Sequence, residues 1–259
     1  MDNMGDNGFR ITYLFHSGFL VECSRCYYLF DYYRGTLPPL NPDKPILVFV
    51  SHSHPDHYNP KIFEMLAEEK MTLVTAIFPK ELSKKIAAKK GISKMAPPEN
   101  IGVVTVTFHN RYELPCETYL ETLQSTDIGV AFVLKCPDGI LYHGGDLNDW
   151  VRSEQTLQYN KQMTGSYRHE INLLATSLKQ TSAASMDTAN VIDAAFLPLD
   201  PLLKENYAKG MLYFLQKIPV KKVYPMHYWG EPEIIETFLR EYPEYQGIIQ
   251  HTESFASST

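Results

Sequence analysis

The stretch Ser51-His52-Ser53-His54-Pro55-Asp56-His57-Tyr58 places three histidines and a carboxylate within six residues. It follows residues 45–50, a short apolar run typical of a buried parallel strand. It precedes Asn59 and Pro60, a candidate helix cap and a residue suited to the first turn of a helix. The cluster is therefore predicted to lie on a loop between a strand and a helix, where open α/β sheets bind their ligands.

The spacing within this cluster favours metal binding. His52 and His54 are two residues apart, so in an extended chain they project to the same side. Pro55 favours an extended conformation at the residue before it, and the chain then turns. Asp56 and His57 can thus approach from another direction. Imidazole and carboxylate are ligands that zinc prefers, and two ligand pairs facing two ways suit two ions ~3.5–4 Å apart. The alternative, a polar loop with capping histidines, is disfavoured by this clustering.

The motif His52-x-His54-x-Asp56-His57 resembles the signature of the metallo-β-lactamase-fold hydrolases. Further segments resemble that superfamily in the same order along the chain, namely residues 15–19, 30–33, 125–130, 142–148 and 225–229. Together they are most similar to small bacterial hydrolases near the ascorbate-6-phosphate lactonase branch. The resemblance implies a four-layer αββα sandwich. The alternation of strand clusters and helices along the chain separately supports a layered α/β protein.

The resemblance also implies further metal ligands. Asp146 follows two glycines, which let the backbone pack closely, and it matches the carboxylate that bridges two metals in the family. His227 matches the family's last metal histidine. The expected cofactor is one or two divalent metal ions, with zinc favoured and manganese, iron or nickel as alternatives. The predicted ligands are His52, His54, Asp56, His57, Asp146 and His227.

One ligand of the family pattern has no clear counterpart. Better-known members supply a third histidine to the first metal from a loop before the bridging aspartate. Asp127, just ahead of the strand that leads to Asp146, is the favoured candidate here. His109 is the alternative, although a long segment separates it from Asp127.

Two polar residues at strand ends allow more than one interpretation. From the residues alone, His16 and Asp31 are turn or structural polar groups. The resemblance implies instead that both residues lie at the edge of the substrate pocket or directly behind the metal ligands.

Composition bounds the class of protein. The chain has 259 residues, of which 44% are hydrophobic and 21% charged, an ordinary globular balance. We expect a single domain over residues 1–259, with a helical excursion at about residues 150–187 that covers the site opening or makes an oligomer contact. The formal charge of −6 argues against a nucleic-acid partner, which usually requires a basic face. The sequence allows either a monomer or a homo-oligomer.

The chain shows no signal peptide and no apolar run long enough for a membrane span, so a cytoplasmic protein is expected. Its four cysteines form no disulfide framework for a chain of this length. Cys23-Ser24-Arg25-Cys26 is interpreted as a hairpin turn, because a structural zinc would need a second ligand pair and none has the required spacing. The stretch from residue 109 to Leu120 shows no regular pattern.

The function predicted from these features is metal-dependent hydrolysis of a small-molecule ester, lactone or phosphoester. Asp56 is the predicted catalytic residue, a ligand that also holds the attacking water. Substrate-binding candidates follow the site segments: Asn148, Asp200 and Trp229. One alternative is a phosphodiesterase acting on nucleotides or nucleic acid. Another is a metal-binding sensor or scaffold that no longer turns over.

Overall fold

The computed structural model describes residues 8–88, 95–184 and 191–251. Two six-stranded sheets face each other, and helices cover the outer side of each sheet. The predicted four-layer αββα sandwich is confirmed. Within the described residues, no helix is both long and apolar enough to cross a bilayer.

The first sheet is mixed and follows the order of the chain. Its strands are β1 (Arg10–Phe15), β2 (Gly18–Glu22), β3 (Tyr27–Phe30), β4 (Ile46–Phe49), β5 (Val74–Pro79) and β6 (Gly102–Val106). The pairs from β1 to β3 are antiparallel, and those from β3 to β6 are parallel. The parallel part brings the carboxyl ends of β3 and β4 to the same edge.

The second sheet is also mixed, with antiparallel strands first along the chain and parallel strands last. Its strands are β7 (Arg111–Leu114), β8 (Thr118–Gln124), β9 (Val130–Cys136), β10 (Gly139–His143), β11 (Ile192–Pro198) and β12 (Val220–Met226), in the spatial order β12-β11-β10-β9-β8-β7. Here β10, β11 and β12 are parallel and the remaining pairs antiparallel. Strands β3, β4, β10, β11 and β12 end near the histidine-rich loop, residues 51–58.

Strand β4 shows how the layers are built. All four of its side chains are buried, because one face meets the second sheet and the other meets helices. Leu47 and Phe49 belong to the core between the sheets. Ile46 and Val48 belong to the core beneath the helices. Each such burial contributes roughly 1.5–3 kcal/mol, which explains why the strand carries a continuous apolar run.

The helices form the two outer layers. Helices α1 (Ile62–Glu68) and α2 (Lys80–Ala88) cover the first sheet, while α3 (Leu157–Ala184), α4 (Lys209–Lys217) and α5 (Glu233–Glu241) cover the second. The predicted helical excursion corresponds to α3, although residues 150–156 are not helical and residues 185–187 lie outside the described part. Ile171, Leu174 and Leu178 form its buried face.

The structure differs from the sequence expectation at residues 111–124. We expected irregular chain as far as Leu120, but β7 and β8 form a hairpin whose second strand pairs with β9. The alternation along β8 is interrupted, because Thr122 and the adjacent Leu123 are both buried. Pairing with a distant strand therefore stabilises a segment whose local pattern is weak.

Gly129 allows the histidine-rich loop to pack against the second sheet. Its φ is +82°, and an added Cβ would lie 2.0 Å from the Ser51 carbonyl oxygen. Because the strain and the clash add, we expect Gly129→Ala to lower the free energy of unfolding by about 3 kcal/mol or more. Urea unfolding monitored by circular dichroism measures this change.

Gly165 provides a matched control for the same substitution. It lies within α3, and an added Cβ would meet no atom within 4 Å. Gly165→Ala should therefore stabilise the protein by up to about 1 kcal/mol, since alanine favours helix. Equal effects of the two substitutions would contradict the proposed close approach at Gly129.

Candidate metal centre

The histidine-rich loop begins at the carboxyl end of β4. The amide of His57 donates a hydrogen bond to the His54 carbonyl at 3.1 Å, so the chain turns between these residues. The Ser51 carbonyl accepts from the Val130 amide at 3.0 Å, which ties the loop to the second sheet. His52 and His57 are fully buried, whereas the side chain of His54 is about half exposed.

The structure gathers eight potential ligands into two sets. Within each set, one nitrogen or oxygen atom from every residue lies within 4.8 Å of the others. The first set is His52, His54, Asp127 and Asp146; the second is His16, Asp56, His57 and His227. The expectation of two groups of ligands facing two ways matches this geometry.

Asp146 lies between the two sets. Its Oδ2 is 3.4 Å from Nε2 of His52 in the first set. Its Oδ1 is 3.1 Å from Nε2 of His57 and 3.4 Å from Nε2 of His227 in the second. One carboxylate therefore presents an oxygen to each set, the arrangement that a bridging ligand requires.

Three imidazoles are oriented by acceptors behind them. Asp31 Oδ2 accepts from Nδ1 of His57 at 2.8 Å and from the Ser51 hydroxyl at 2.6 Å. The Ser51 oxygen is left to accept from Nδ1 of His52 at 3.0 Å. Asp200 Oδ2 accepts from Nδ1 of His227 at 3.0 Å. With the proton on Nδ1, each Nε2 presents a lone pair to the centre, as in carboxylate–histidine–metal groups.

The buried polar atoms of the centre fit a metal. Within the described part of the chain, several have no hydrogen-bond partner: both ring nitrogens of His16, Nε2 of His52, Nε2 of His57 and Oδ1 of Asp146. Each such group costs about 1–3 kcal/mol when it is left unsatisfied. These atoms belong to the two ligand sets, so divalent cations bound there would satisfy them together.

The electrostatics also favour cations. Burial lowers the pKa of His52 to about 3 and that of His16 to about 4. Burial alone would lower the pKa of His57, but the Asp146 and Asp31 carboxylates raise it well above its usual value. A positive charge is therefore favoured between these carboxylates, and neutral imidazoles beside it are ready to bind metal.

The first and last segments of the centre are joined through strained backbone. His16, in the turn between β1 and β2, has φ +58°, and His227, directly after β12, has φ +65°. The His227 amide donates to the His16 carbonyl at 3.1 Å, and their ring centroids are 4.1 Å apart. Left-handed backbone at two non-glycine residues is typical of functional sites.

Sequence comparison identifies the family. Residues 10–162, more than half of the chain, match the Beta-lactamase superfamily domain. The chain belongs to the metallo-β-lactamase superfamily of metal-dependent hydrolases. No curated protein matches the sequence significantly.

Solved structures share the superfamily fold along most of this chain. Igni18, a metallo hydrolase from Ignicoccus hospitalis, is 14% identical with a TM-score of 0.60, over 95% of each chain. A protein from Parabacteroides distasonis is 17% identical with a TM-score of 0.56, over 95% of this chain and 94% of that one. Zn²⁺-bound PqqB from Methylobacterium extorquens is 12% identical with a TM-score of 0.52, over 91% and 84%. At these identities the similarity supports the fold alone.

The structure brings the predicted metal ligands together in the two sets, except for the alternative ligand His109. Asp127 lies in the first set, and its Oδ2 is 3.8 Å from Nδ1 of His54. His109 belongs to neither set among the described residues; its Nε2 instead contacts the Glu170 carboxylate at 2.9 Å. His16 was expected at the pocket edge or in a structural turn, yet it lies within the second set. The hairpin position of His16 is visible in the sequence, but the direction of its ring is not.

A cavity of about 260 Å³ opens onto the centre. Trp229 and Asp200, both predicted near substrate, help to line it, although Asp200 also supports His227. Asn148 does not line this cavity; it is buried against Gly210, where an added Cβ would lie 1.8 Å from the amide oxygen. Sequence reasoning missed Arg152, which lines the cavity just before α3.

Proposed function

We propose that this protein is a zinc-dependent hydrolase of a small anionic ester, lactone or phosphoester. The observation that carries the proposal is the pair of ligand sets that share Asp146 and open onto one cavity. Nitrogen and oxygen ligands in sets of about four suit zinc. The zinc found in PqqB, a protein of the same fold, supports this choice of metal.

The proposal assigns each ligand to one of two ions. His52, His54 and Asp127 would hold the first ion. Asp56, His57 and His227 would hold the second, with His16 as a further ligand. Asp146, which presents one oxygen to each set, would serve both ions.

The chemistry of a bound zinc is that of a Lewis acid that lowers the pKa of a water molecule in its coordination shell. Asp56 lines the cavity and is half-buried, so its carboxylate can accept a hydrogen bond from an attacking water. Its Oδ2 is 3.4 Å from Nε2 of His16, which holds it towards the second set. Asp31 and Asp200 keep the proton on Nδ1 of their histidines.

The cavity favours a small substrate that carries a negative charge. Its volume of about 260 Å³ suits a small molecule. Arg152 is the cationic residue of its lining, and guanidinium binds carboxylate or phosphate in a bidentate manner. Trp150 and Trp229 provide flat apolar walls. An anionic group at Arg152 would leave the scissile bond to face the ligand sets.

The resemblance to the ascorbate-6-phosphate lactonase branch suggests one substrate class. The match to the superfamily domain assigns no branch. A phosphorylated lactone has both an anionic group for Arg152 and an ester bond for hydrolysis. We therefore propose it as the first substrate class to test.

A substrate panel tests the proposed function. Purified protein is loaded with zinc, its metal content is measured, and phosphorylated lactones, phosphomonoesters, phosphodiesters and thioesters are offered. We expect hydrolysis of a small anionic substrate, reduced at least about a hundredfold by Asp56→Asn. Asp43→Asn, a change at an exposed carboxylate, is the matched control and should leave the rate unchanged.

Two results would contradict the proposal. Preferential cleavage of nucleic acid would favour the phosphodiesterase alternative. If fully metallated protein cleaves no substrate of the panel, and Asp56→Asn binds the same molecules as the unchanged protein, the result would favour a non-catalytic scaffold.

Asp127→Asn tests the assignment of the first ion. Asparagine keeps the shape of the side chain but removes its charge, so we expect zinc in the first set to bind at least about tenfold more weakly. Zinc in the second set should be unaffected, and calorimetric titration separates the two affinities. Two unchanged affinities would exclude Asp127 as a ligand.

A further inference from the structure

Three large apolar side chains that line the cavity at the metal centre are also exposed to solvent. They are Tyr159, Leu202 and Trp229, which are 43%, 56% and 41% exposed. A single exposed apolar residue is ordinary, but three at one opening are typical of a surface that binds a ligand. We call these three residues the apolar rim.

Two residues of the apolar rim are fixed through their backbone amides. Asp200 Oδ1 accepts from the Leu202 amide at 2.8 Å, while its Oδ2 accepts from Nδ1 of His227 at 3.0 Å. The Tyr159 amide donates to the Thr156 hydroxyl at 3.1 Å in the first turn of α3. One carboxylate thus supports both a rim residue and a metal-ligand candidate, so the rim has a fixed position relative to the second ligand set.

Trp229 is held beside the second ligand set by strained backbone. Its φ is +55°, a conformation that is rare for a bulky side chain. The centroid of its indole is 4.2 Å from that of the His16 ring and 5.4 Å from that of the His227 ring. Strain of this kind is concentrated at active sites and ligand clamps, which indicates that the exposed indole has a binding role.

The same cavity contains a cation that an anion can reach. Nη1 of Arg152 is 4.0 Å from Oε1 of Glu154, which is too far for a hydrogen bond, so its donors can bind a ligand. Trp150 and Met163 add further apolar surface to the lining. A ligand that matches all of these contacts has an anionic group and an apolar chain or ring in one molecule.

We propose that the substrate is an amphipathic anion whose charged group binds Arg152 and whose apolar chain or ring packs against the apolar rim. This inference rests on the proposed function, which leaves the apolar part of the substrate unspecified. Transfer of each methylene from water to the rim stabilises the complex, so affinity should rise about two- to fourfold for each methylene added. The rim residues would then determine specificity for the apolar part of the substrate.

Binding of a series of non-hydrolysable anions tests the inference without turnover. Zinc-loaded protein is titrated with straight-chain alkylsulfonates from ethyl to octyl. Sulfonate is a poor metal ligand, so the series reports on Arg152 and the rim and not on the ions. Both tryptophans of the chain, Trp150 and Trp229, line the cavity, so intrinsic fluorescence reports binding there. We expect the affinity to increase as the alkyl chain lengthens.

Three variants separate the contribution of the rim from that of the charge. Leu202→Ala should weaken octylsulfonate binding at least about threefold and leave ethylsulfonate binding unchanged. Arg152→Gln should weaken every member of the series by a similar factor, about tenfold or more. Leu157→Ala is the matched control, because Leu157 is 82% exposed in the first turn of α3 and does not line the cavity. It should change neither the affinities nor their dependence on chain length.

The outcomes distinguish this inference from the proposed function. Affinity that is independent of chain length, or that depends on it equally in Leu202→Ala, would overturn the inference even if small anionic substrates are hydrolysed. The expected dependence without hydrolysis of any ester would support the ligand class and contradict the proposed hydrolysis. Sedimentation that shows a dimer, dissociated by Leu202→Ala, would also overturn the inference, since the rim would then be an interface between two copies of the chain.

Discussion

Asp146→Asn is expected to abolish zinc binding at the shared position and to reduce hydrolysis at least about a thousandfold. The carboxylate presents one oxygen to His52 and the other to His57 and His227, at 3.1–3.4 Å. Asparagine has a similar volume, but it is neutral and has one oxygen, so the two ions would lose their bridge. The measurements are zinc content after dialysis and the rate on the best substrate of the panel.

Asp43→Asn again provides the control, because that carboxylate is exposed and belongs to neither ligand set. The free energy of unfolding in the presence of chelator should be measured for both variants. A loss of zinc from folded Asp146→Asn supports the bridging role. Full zinc content together with normal activity in Asp146→Asn would refute it.

His16→Asn is expected to weaken zinc binding in the second set by about 10- to 100-fold and to leave the first set occupied. Both ring nitrogens of His16 are buried and find no hydrogen-bond partner among residues 8–88, 95–184 and 191–251, and Nε2 is 3.4 Å from the Asp56 carboxylate. Asparagine tolerates the left-handed φ of +58° at this position, so the backbone need not change. Calorimetric titration with zinc gives the two affinities without relying on activity.

His109→Asn is a matched control for this substitution. His109 also has a left-handed backbone, with φ +56°, but it contacts Glu170 and belongs to neither ligand set. Its replacement should leave both zinc affinities unchanged, and the same experiment tests the alternative that His109 binds the first ion. An equal loss of zinc affinity in the second set for the two histidine variants would contradict ligation by His16.

The sequence predicted most of the fold because its signals are local. The apolar run of β4 followed by the histidine-rich loop indicates a strand end, and the period of Ile171, Leu174 and Leu178 indicates a helix. The weak pattern of residues 111–124 concealed a hairpin, since β8 is stabilised by pairing with β9 rather than by its own sequence. The helix start was expected at Pro60 but occurs at Ile62, while Asn59 Oδ1 accepts from the Lys61 amide.

The sequence predicted only part of the site, because several of its contacts also join distant segments of the chain. Side chains within one loop, such as His52, His54 and His57, reveal their relation through spacing. Asp31 is fully buried and accepts from both Ser51 and His57, a role that depends on the pairing of β3 with β4. Arg152 reaches the cavity from a segment with no motif.

The sequence by itself determined a superfamily domain with a metal-binding loop at a strand end, because those features depend on neighbours along the chain. Only the tertiary structure decided that His16 lies in the second ligand set, beside Asp56, His57 and His227. These contacts join residues up to about 200 positions apart, and they form only when two sheets pack face to face with a particular strand order. Side-chain direction at a turn is set by that packing, which no local pattern records.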